Sequence, residues 1–251
     1  MNRLMLAALA LAALTFGANA QTVKLATEGA YPPFNYVDDN GMVGGLDVDL
    51  GNELCARAGL TCEWVVNEWD TIIPNLMAGN YDAIIADLTI TDERKKTIEF
   101  TEAYFPADPS TYISVAGTIY DYEALSGVKI GGQSGTVQAA WLDANLKANN
   151  TILSYASADQ GLADLTAGNI DLYLAESSYI EETVAGANGA YKADGPAIPI
   201  GDGAAIGLRK ADTELRDKLN TALATLKAEG WLDALITKYF PDMGSGPFFA
   251  E

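Results

Sequence analysis

The chain is predicted to fold as a two-lobed α/β protein. Short apolar runs alternate with helical stretches along its length, the pattern of a mostly parallel sheet flanked by helices. The phrase IPNLMAGNYDAIIAD, Ile73 to Asp87, is echoed by LADLTAGNIDLYLAE, Leu162 to Glu176. Each runs helix, A-G-N, strand and terminal carboxylate, so two lobes of related build are expected. A hydrophobic fraction of 49% with 20% charged residues excludes a disordered chain.

Residues 1–20 have the form of a signal peptide. Asn2-Arg3 is a short basic start, and Leu4 to Phe16 is an apolar run too short for a membrane span. Ala18-Asn19-Ala20 is an A-x-A cleavage site, so the mature chain should begin at Gln21 as a soluble periplasmic protein. The absence of a cysteine after these small residues argues against a lipoprotein.

Thr22 to Thr27 is a first strand. Glu28 to Phe34, EGAYPPF, is a loop at its end, where ligand residues sit in open α/β sheets. Glu28 and Tyr31 are candidates there, and Phe34 is assigned to the core. Asp38-Asp39-Asn40-Gly41 is a hairpin turn. Asp47 or Asp49 should cap a helix over Val48 to Ala58 that stops at Gly59. Thr61 to Val66 is a strand, and TIIPNLMAGN is a helix.

The stretch Tyr81 to Thr101 concentrates the chemistry. Ala83 to Ala86 is a buried strand followed by Asp87 and Thr89, which alternation places on one face. Thr91 can cap the helix that follows, and Arg94 falls in its first turn. A cation is unfavourable at that electropositive end. An anion would explain it, because a guanidinium fork suits a carboxylate held by two hydrogen bonds. The plainer reading is a solvated arginine beside Glu93.

Thr101 to Ser110, with Pro106 and Pro109, and the strand from Thr111 look like a crossing between lobes. A strand from Val128, the small-residue turn Ser134-Gly135-Thr136 and a helix from Val137 to Lys147 follow. Such a turn offers backbone N–H groups to an anion. Then come a strand at Thr151–Tyr155, a helix at Ala158–Thr166, a strand from Asp171 to Glu176 and a further helix. After a polar loop, Ala204 to Lys210 is a strand assigned to the return crossing. Asp212 to Tyr239 is an amphipathic helical region broken at Gly230.

Fifteen basic and 34 acidic residues give a net charge of −19. Without Arg3 the mature chain stands at −20, which argues against nucleic acid and anionic lipid and favours cationic small molecules. There is no histidine, so serine–histidine and cysteine–histidine chemistry is excluded and a metal site is disfavoured. An oxidising compartment favours a disulfide between the only two cysteines, Cys55 and Cys62, over two buried thiols.

Seven segments together resemble one family over essentially the whole mature chain. They are ATEGAYPPF (26–34), GGLDVDLGNELC (44–55), WDTIIPNL (69–76), YDAIIADLTITDER (81–94), GGQSGTVQ (131–138), DLTAGNIDLYLAE (164–176) and GLRKADTEL (207–215). The chain is similar to periplasmic polar-amino-acid-binding proteins of ABC importers, solute-binding protein family 3. The likeness is greatest to lysine/arginine/ornithine-, histidine- and opine-binding members.

The resemblance implies a type II periplasmic-binding-protein fold. Residues 21–107 plus 208–251 would form the first lobe and 108–207 the second, joined by two hinge strands around a ligand cleft. It implies that Arg94 clamps an α-carboxylate, helped by N–H groups of Thr89, Gly135, Thr136 and Val137, with Gln138 beside them. Thr89 and Glu176 would meet the α-ammonium, Trp69 and Tyr31 would stack on the ligand stem, and Glu28 and Asp47 would face its side chain. A disulfide between Cys55 and Cys62 also matches the lysine/arginine/ornithine type.

The sequence departs from that pattern at Ala86-Asp87, where the family has Ser-Ser, and at Glu176 in place of Asp. It departs also at Glu28, where basic-amino-acid binders carry Asp, and at Val137 in place of Thr. Asp87 and Glu176 would crowd one end of the site and call for a cation. The expectation is therefore a monomer that binds a cationic amino acid, has an inner-membrane ABC permease as partner, and uses no cofactor or metal. The alternative is an exported dehydratase-like enzyme of the same fold with Glu176 as general acid.

Overall fold

The computed structural model describes residues 22–249, so the expected signal peptide and cleavage site lie outside the described residues. The strands are β1 (Thr22–Thr27), β2 (Ala30–Tyr31), β3 (Asn35–Val37), β4 (Val43–Gly44), β5 (Thr61–Val66), β6 (Ala83–Ile84) and β7 (Glu99–Phe105). They continue with β8 (Ser110–Val115), β9 (Lys129–Gln133), β10 (Thr151–Tyr155), β11 (Leu172–Glu176), β12 (Tyr191–Ile198) and β13 (Ala204–Leu208). The helices are α1 (Leu46–Ala58), α2 (Trp69–Met77), α3 (Asp92–Thr97), α4 (Val137–Asn145), α5 (Ala158–Thr166), α6 (Ser177–Gly186), α7 (Thr213–Ala228) and α8 (Trp231–Tyr239).

Two five-stranded sheets form the two lobes, in the orders β5-β1-β6-β13-β7 and β10-β9-β11-β8-β12. The repeated phrases occupy equivalent places. Each pairs parallel with one neighbour, β6 with β1 and β11 with β9, and antiparallel with another, β6 with β13 and β11 with β8. Parallel strands must be covered on both faces, which is why the interiors of these runs are apolar. Leu25, Ala83, Ile84, Ile130, Leu172 and Leu174 are at most 1% exposed.

Several expectations are corrected. Ala204–Leu208 is not a crossing strand: all five residues are buried, and it pairs antiparallel with β6 and β7 inside the first sheet. The strand β7 likewise carries the first sheet as far as Phe105. The chain therefore passes between sheets at 106–109 and 199–203. Proline explains the first passage, since Pro106 and Pro109 cannot donate to a ladder. The polar stretch before the second passage contains β12, an edge strand of the second sheet. Gly195-Pro196 disguised it, and edge strands tolerate both.

The helix α1 starts at Leu46 behind Gly45, and neither Asp47 nor Asp49 caps it. The Asp47 carboxylate is turned into the core and bonded there instead. The extended run expected through Thr89 breaks at Asp87, whose φ is 46°. Thr91 does cap α3, its hydroxyl accepting the Arg94 N–H at 3.1 Å. The helical region after Asp212 is broken at Gly230, whose φ is 71°.

Cys55 and Cys62 are disulfide-bonded, tying α1 to β5. Phe34 packs against Phe105 and Phe240, with ring centroids 4.9 and 4.7 Å away. Phe248 and Phe249 near the C-terminus pack on the same core. No described helix is long and apolar enough to cross a membrane.

Candidate functional site

A cleft cavity lies between the lobes. It is reached by the loop after β1, the start of α2, the turn after β6, the first turns of α3 and α4, and the end of β11. Ends of strands and helices meet here because the two sheets face each other with their carboxyl ends.

Arg94 lines the cavity. Its guanidinium donates to the Thr89 carbonyl at 2.7 Å and, across the cleft, to the Gly135 carbonyl at 3.3 Å. It lies 5.3 Å from the Trp69 ring centroid, a cation–π contact. It takes part in none of the ion pairs among the described residues. Burial lowers its pKa to about 10, with Glu176 and Asp87 pulling the other way. A fixed, half-desolvated fork without a carboxylate partner is poised to accept one.

Two carboxylates share the cavity with it. Glu176 accepts the Tyr31 hydroxyl at 2.5 Å and the Gln138 amide at 2.6 Å. Gln138 is itself positioned on Ser110, 3.0 Å away. Asp87 has no hydrogen bond to its carboxylate among the described residues. Its backbone N–H donates to the Tyr104 oxygen at 2.9 Å, which holds the residue in its left-handed conformation. Burial first, then Glu176, Asp47 and Asp108, push its pKa well above the ordinary carboxylate range.

The lobes touch directly across the cleft. Tyr31 stacks on Tyr179 with centroids 4.1 Å apart and planes 8° from parallel. Ser134 donates to Asp70. Gln133 donates to Glu28 at 2.5 Å. Glu28 lines the cavity, and burial raises its pKa to about 7 despite that bond.

Of the residues singled out from sequence, Glu28, Tyr31, Trp69, Asp87, Thr89, Arg94, Thr136, Val137, Gln138 and Glu176 converge on this one cavity. Gly135 stands just behind the wall. Its φ of 69° makes the turn that brings its carbonyl to Arg94. Asp47 does not reach the cavity. It is 0% exposed and is held by Tyr104 at 2.7 Å and Asn35 at 2.8 Å, so it supports the wall from beneath. Burial raises its pKa to about 7. The Thr136 hydroxyl caps α4 by accepting the Ala139 N–H.

Sequence reasoning missed Gln133 and Tyr173. Gln133 is a polar residue closing an apolar strand, the signal that exposed Asp87 and Glu176, and it went unused. Tyr173 carries no such signal. It reaches the cavity because Gly161 lets α5 approach, where a Cβ would come within 2.1 Å of its ring.

Comparisons with known proteins identify the family. The model for bacterial extracellular solute-binding proteins, family 3, matches residues 23–242. The chain is 35% identical over 94% of both chains to the lysine/arginine/ornithine-binding periplasmic protein of Escherichia coli. It is 36% identical to the L-arginine-binding protein of Pseudomonas aeruginosa, over 94% of this chain and 95% of that one. Among solved structures, a periplasmic His/Glu/Gln/Arg/opine family-binding protein from Silicibacter pomeroyi in complex with lysine superposes with a TM-score of 0.82 at 42% identity, covering 89% of this chain and 99% of that one. The chain is therefore a member of the bacterial extracellular solute-binding protein family 3.

Proposed function

We propose that the protein is the periplasmic capture component of an ABC amino-acid importer and that its ligand is a single cationic α-amino acid. The observation that carries the reading is the charge arrangement in the cavity. A half-buried arginine stands near two carboxylates, and it makes no ion pair with either among the described residues. An α-amino acid brings one group for each: its carboxylate for Arg94, its ammonium for Asp87 and Glu176. Glu28 then takes a positive side chain, since a buried carboxylate near neutral pH is stabilised by a paired cation. The lysine/arginine/ornithine- and arginine-binding relatives support the same ligand class.

The protein acts by closure. Ligand contacts with both lobes add to the direct cross-cleft contacts and shift an open–closed equilibrium toward the closed form. The closed form is what an inner-membrane permease would read. Water exclusion strengthens the Arg94–carboxylate pair as the cleft shuts.

The test is isothermal titration of unfolded and refolded protein, freed of co-purified ligand, with arginine, lysine, ornithine, histidine, octopine, glutamine, glutamate and a polyamine. Tight binding of a basic amino acid is expected. A polyamine bound as tightly as arginine would remove the role of Arg94. Glutamine or glutamate bound as tightly as arginine would remove the cationic preference.

A further inference from the structure

Glu28 occupies a part of the cavity apart from Arg94. The charges that act on it are Asp159 and Asp70, whereas those acting on Arg94 are Glu176 and Asp87. Its partner there, Gln133, comes from the opposite lobe, at the last residue of β9. Gln133 is 5% exposed and lines the same cavity. Its side-chain nitrogen donates to Glu28 Oε1 at 2.5 Å and to the Ala156 carbonyl at 3.2 Å. Both neighbours are acceptors, so only this orientation of the amide satisfies them.

Two consequences follow from chemistry. The amide nitrogen has spent both its hydrogens, so the free oxygen of Gln133 can only accept. Glu28 Oε2 likewise has no donor among the described residues. The closed cleft thus holds two acceptor oxygens on adjacent side chains, one neutral and one carboxylate. They are brought together from two lobes and held at fixed spacing by the bond between them.

A guanidinium is planar, weakly hydrated and rich in donors set in a rigid fork, so it satisfies two separate acceptors at once. A primary ammonium is a compact, strongly hydrated point charge, and stripping it of water for the same two oxygens leaves more hydration unreplaced. We infer that Gln133 is a specificity-determining residue that fixes Glu28 across the cleft and sets the site for an amino acid bearing a guanidinium rather than a primary ammonium. This rests on the amino-acid-binding reading and adds the ligand's head group and the residue that selects it.

The experiment is titration of the refolded protein and of Gln133→Leu with arginine and with lysine, with thermal melting of the ligand-free forms alongside. The unaltered protein is expected to prefer arginine by about tenfold or more, the scale of one charged hydrogen bond. In Gln133→Leu that ratio is expected to collapse toward one, with arginine weakened by about tenfold and lysine by less than about threefold. Equal loss for both ligands, or an unchanged ratio, would overturn the inference while leaving the amino-acid reading in place. If Gln133→Leu does not fold, Gln133→Asn shortens the reach and should lower the same ratio. Should the unaltered protein bind neither ligand, the parent reading falls, and this one with it.

Discussion

Asp87 and Glu176 end the two echoed phrases, Glu176 as the last residue of β11 and Asp87 just beyond β6, and they face one cavity, yet they sit in opposite chemical surroundings. Glu176 accepts hydrogen bonds from Tyr31 and Gln138. Asp87 accepts none among the described residues, and burial with neighbouring negative charge drives its pKa far up. The difference lies in what each lobe places around the strand end. The second lobe supplies a helix start at Val137 with Gln138 aimed inward, and the first lobe reaches over with Tyr31. Beside Asp87, Tyr104 accepts the backbone N–H of Asp87 and gives its own hydroxyl hydrogen to Asp47. One sequence pattern thus yields a satisfied acceptor and an unsatisfied one, and the unsatisfied one has the greater need of a ligand cation.

Arg94 is the cation that both carboxylates feel, so its removal should do the most. Arg94→Ala is expected to weaken arginine binding by about 2–4 kcal/mol, the scale of a buried charge left without its partner. Unchanged affinity in titration calorimetry would end the carboxylate-clamp assignment.

The comparison itself is sharpened by neutralising each acid in turn. Asp87→Asn should stabilise the ligand-free protein at neutral pH, because it removes a buried carboxylate that no donor supports. Glu176→Gln should destabilise it, because one amide oxygen replaces the two carboxylate oxygens that accept from Gln138 and Tyr31. A change of 1 kcal/mol corresponds to about 2–4 °C in a chain of this size, so opposite shifts are readable by calorimetric melting. Shifts of the same sign would break the distinction.

A third test uses pH. Burial raises Glu28 and Asp47 to about 7 in the folded chain. A carboxylate raised above its unfolded value contributes stability fully at low pH and loses it as pH climbs through the folded value. The ligand-free protein should therefore lose stability between about pH 4 and about pH 7 from these groups. A ligand cation favours ionised Glu28, so arginine binding should release protons and tighten from about pH 5 to about pH 8. Titrations in buffers of different ionisation enthalpy measure that release, and a flat profile would contradict it.

The smallest effect is expected from Tyr31→Phe, which keeps the stacking on Tyr179 but removes the hydroxyl donor to Glu176. About 1 kcal/mol, or several-fold in affinity, is the scale of one such bond. A loss as large as that of Arg94→Ala would show Glu176 to depend on Tyr31 as much as Asp87 depends on the ligand.

Much of the arrangement was legible before any coordinates. The alternation of apolar strand and amphipathic helix is a local signal, and it located most elements. The echo of Ile73–Asp87 in Leu162–Glu176 placed two carboxylates at equivalent strand ends. Arg94 stood out because a cation in a first helical turn is locally unfavourable. The errors have a common cause. Ala204–Leu208 has the composition of any buried strand, and only its partners reveal which sheet it joins. Asp47 carries the same side chain as a helix cap or a ligand contact, and nothing in its neighbours foretells Tyr104 and Asn35, the latter twelve positions away.

The sequence by itself determined the fold class, the family and the set of residues that could meet a ligand. These follow from periodicity, composition and motif, which are written along the chain. Only the tertiary structure decided which of those residues share a cavity, that Glu28 and Gln133 join across the cleft, and that Asp87 is left without a donor while Glu176 has two. Burial and hydrogen bonding depend on atoms brought together from distant positions, and a carboxylate's charge state is set by those neighbours rather than by its own place in the chain.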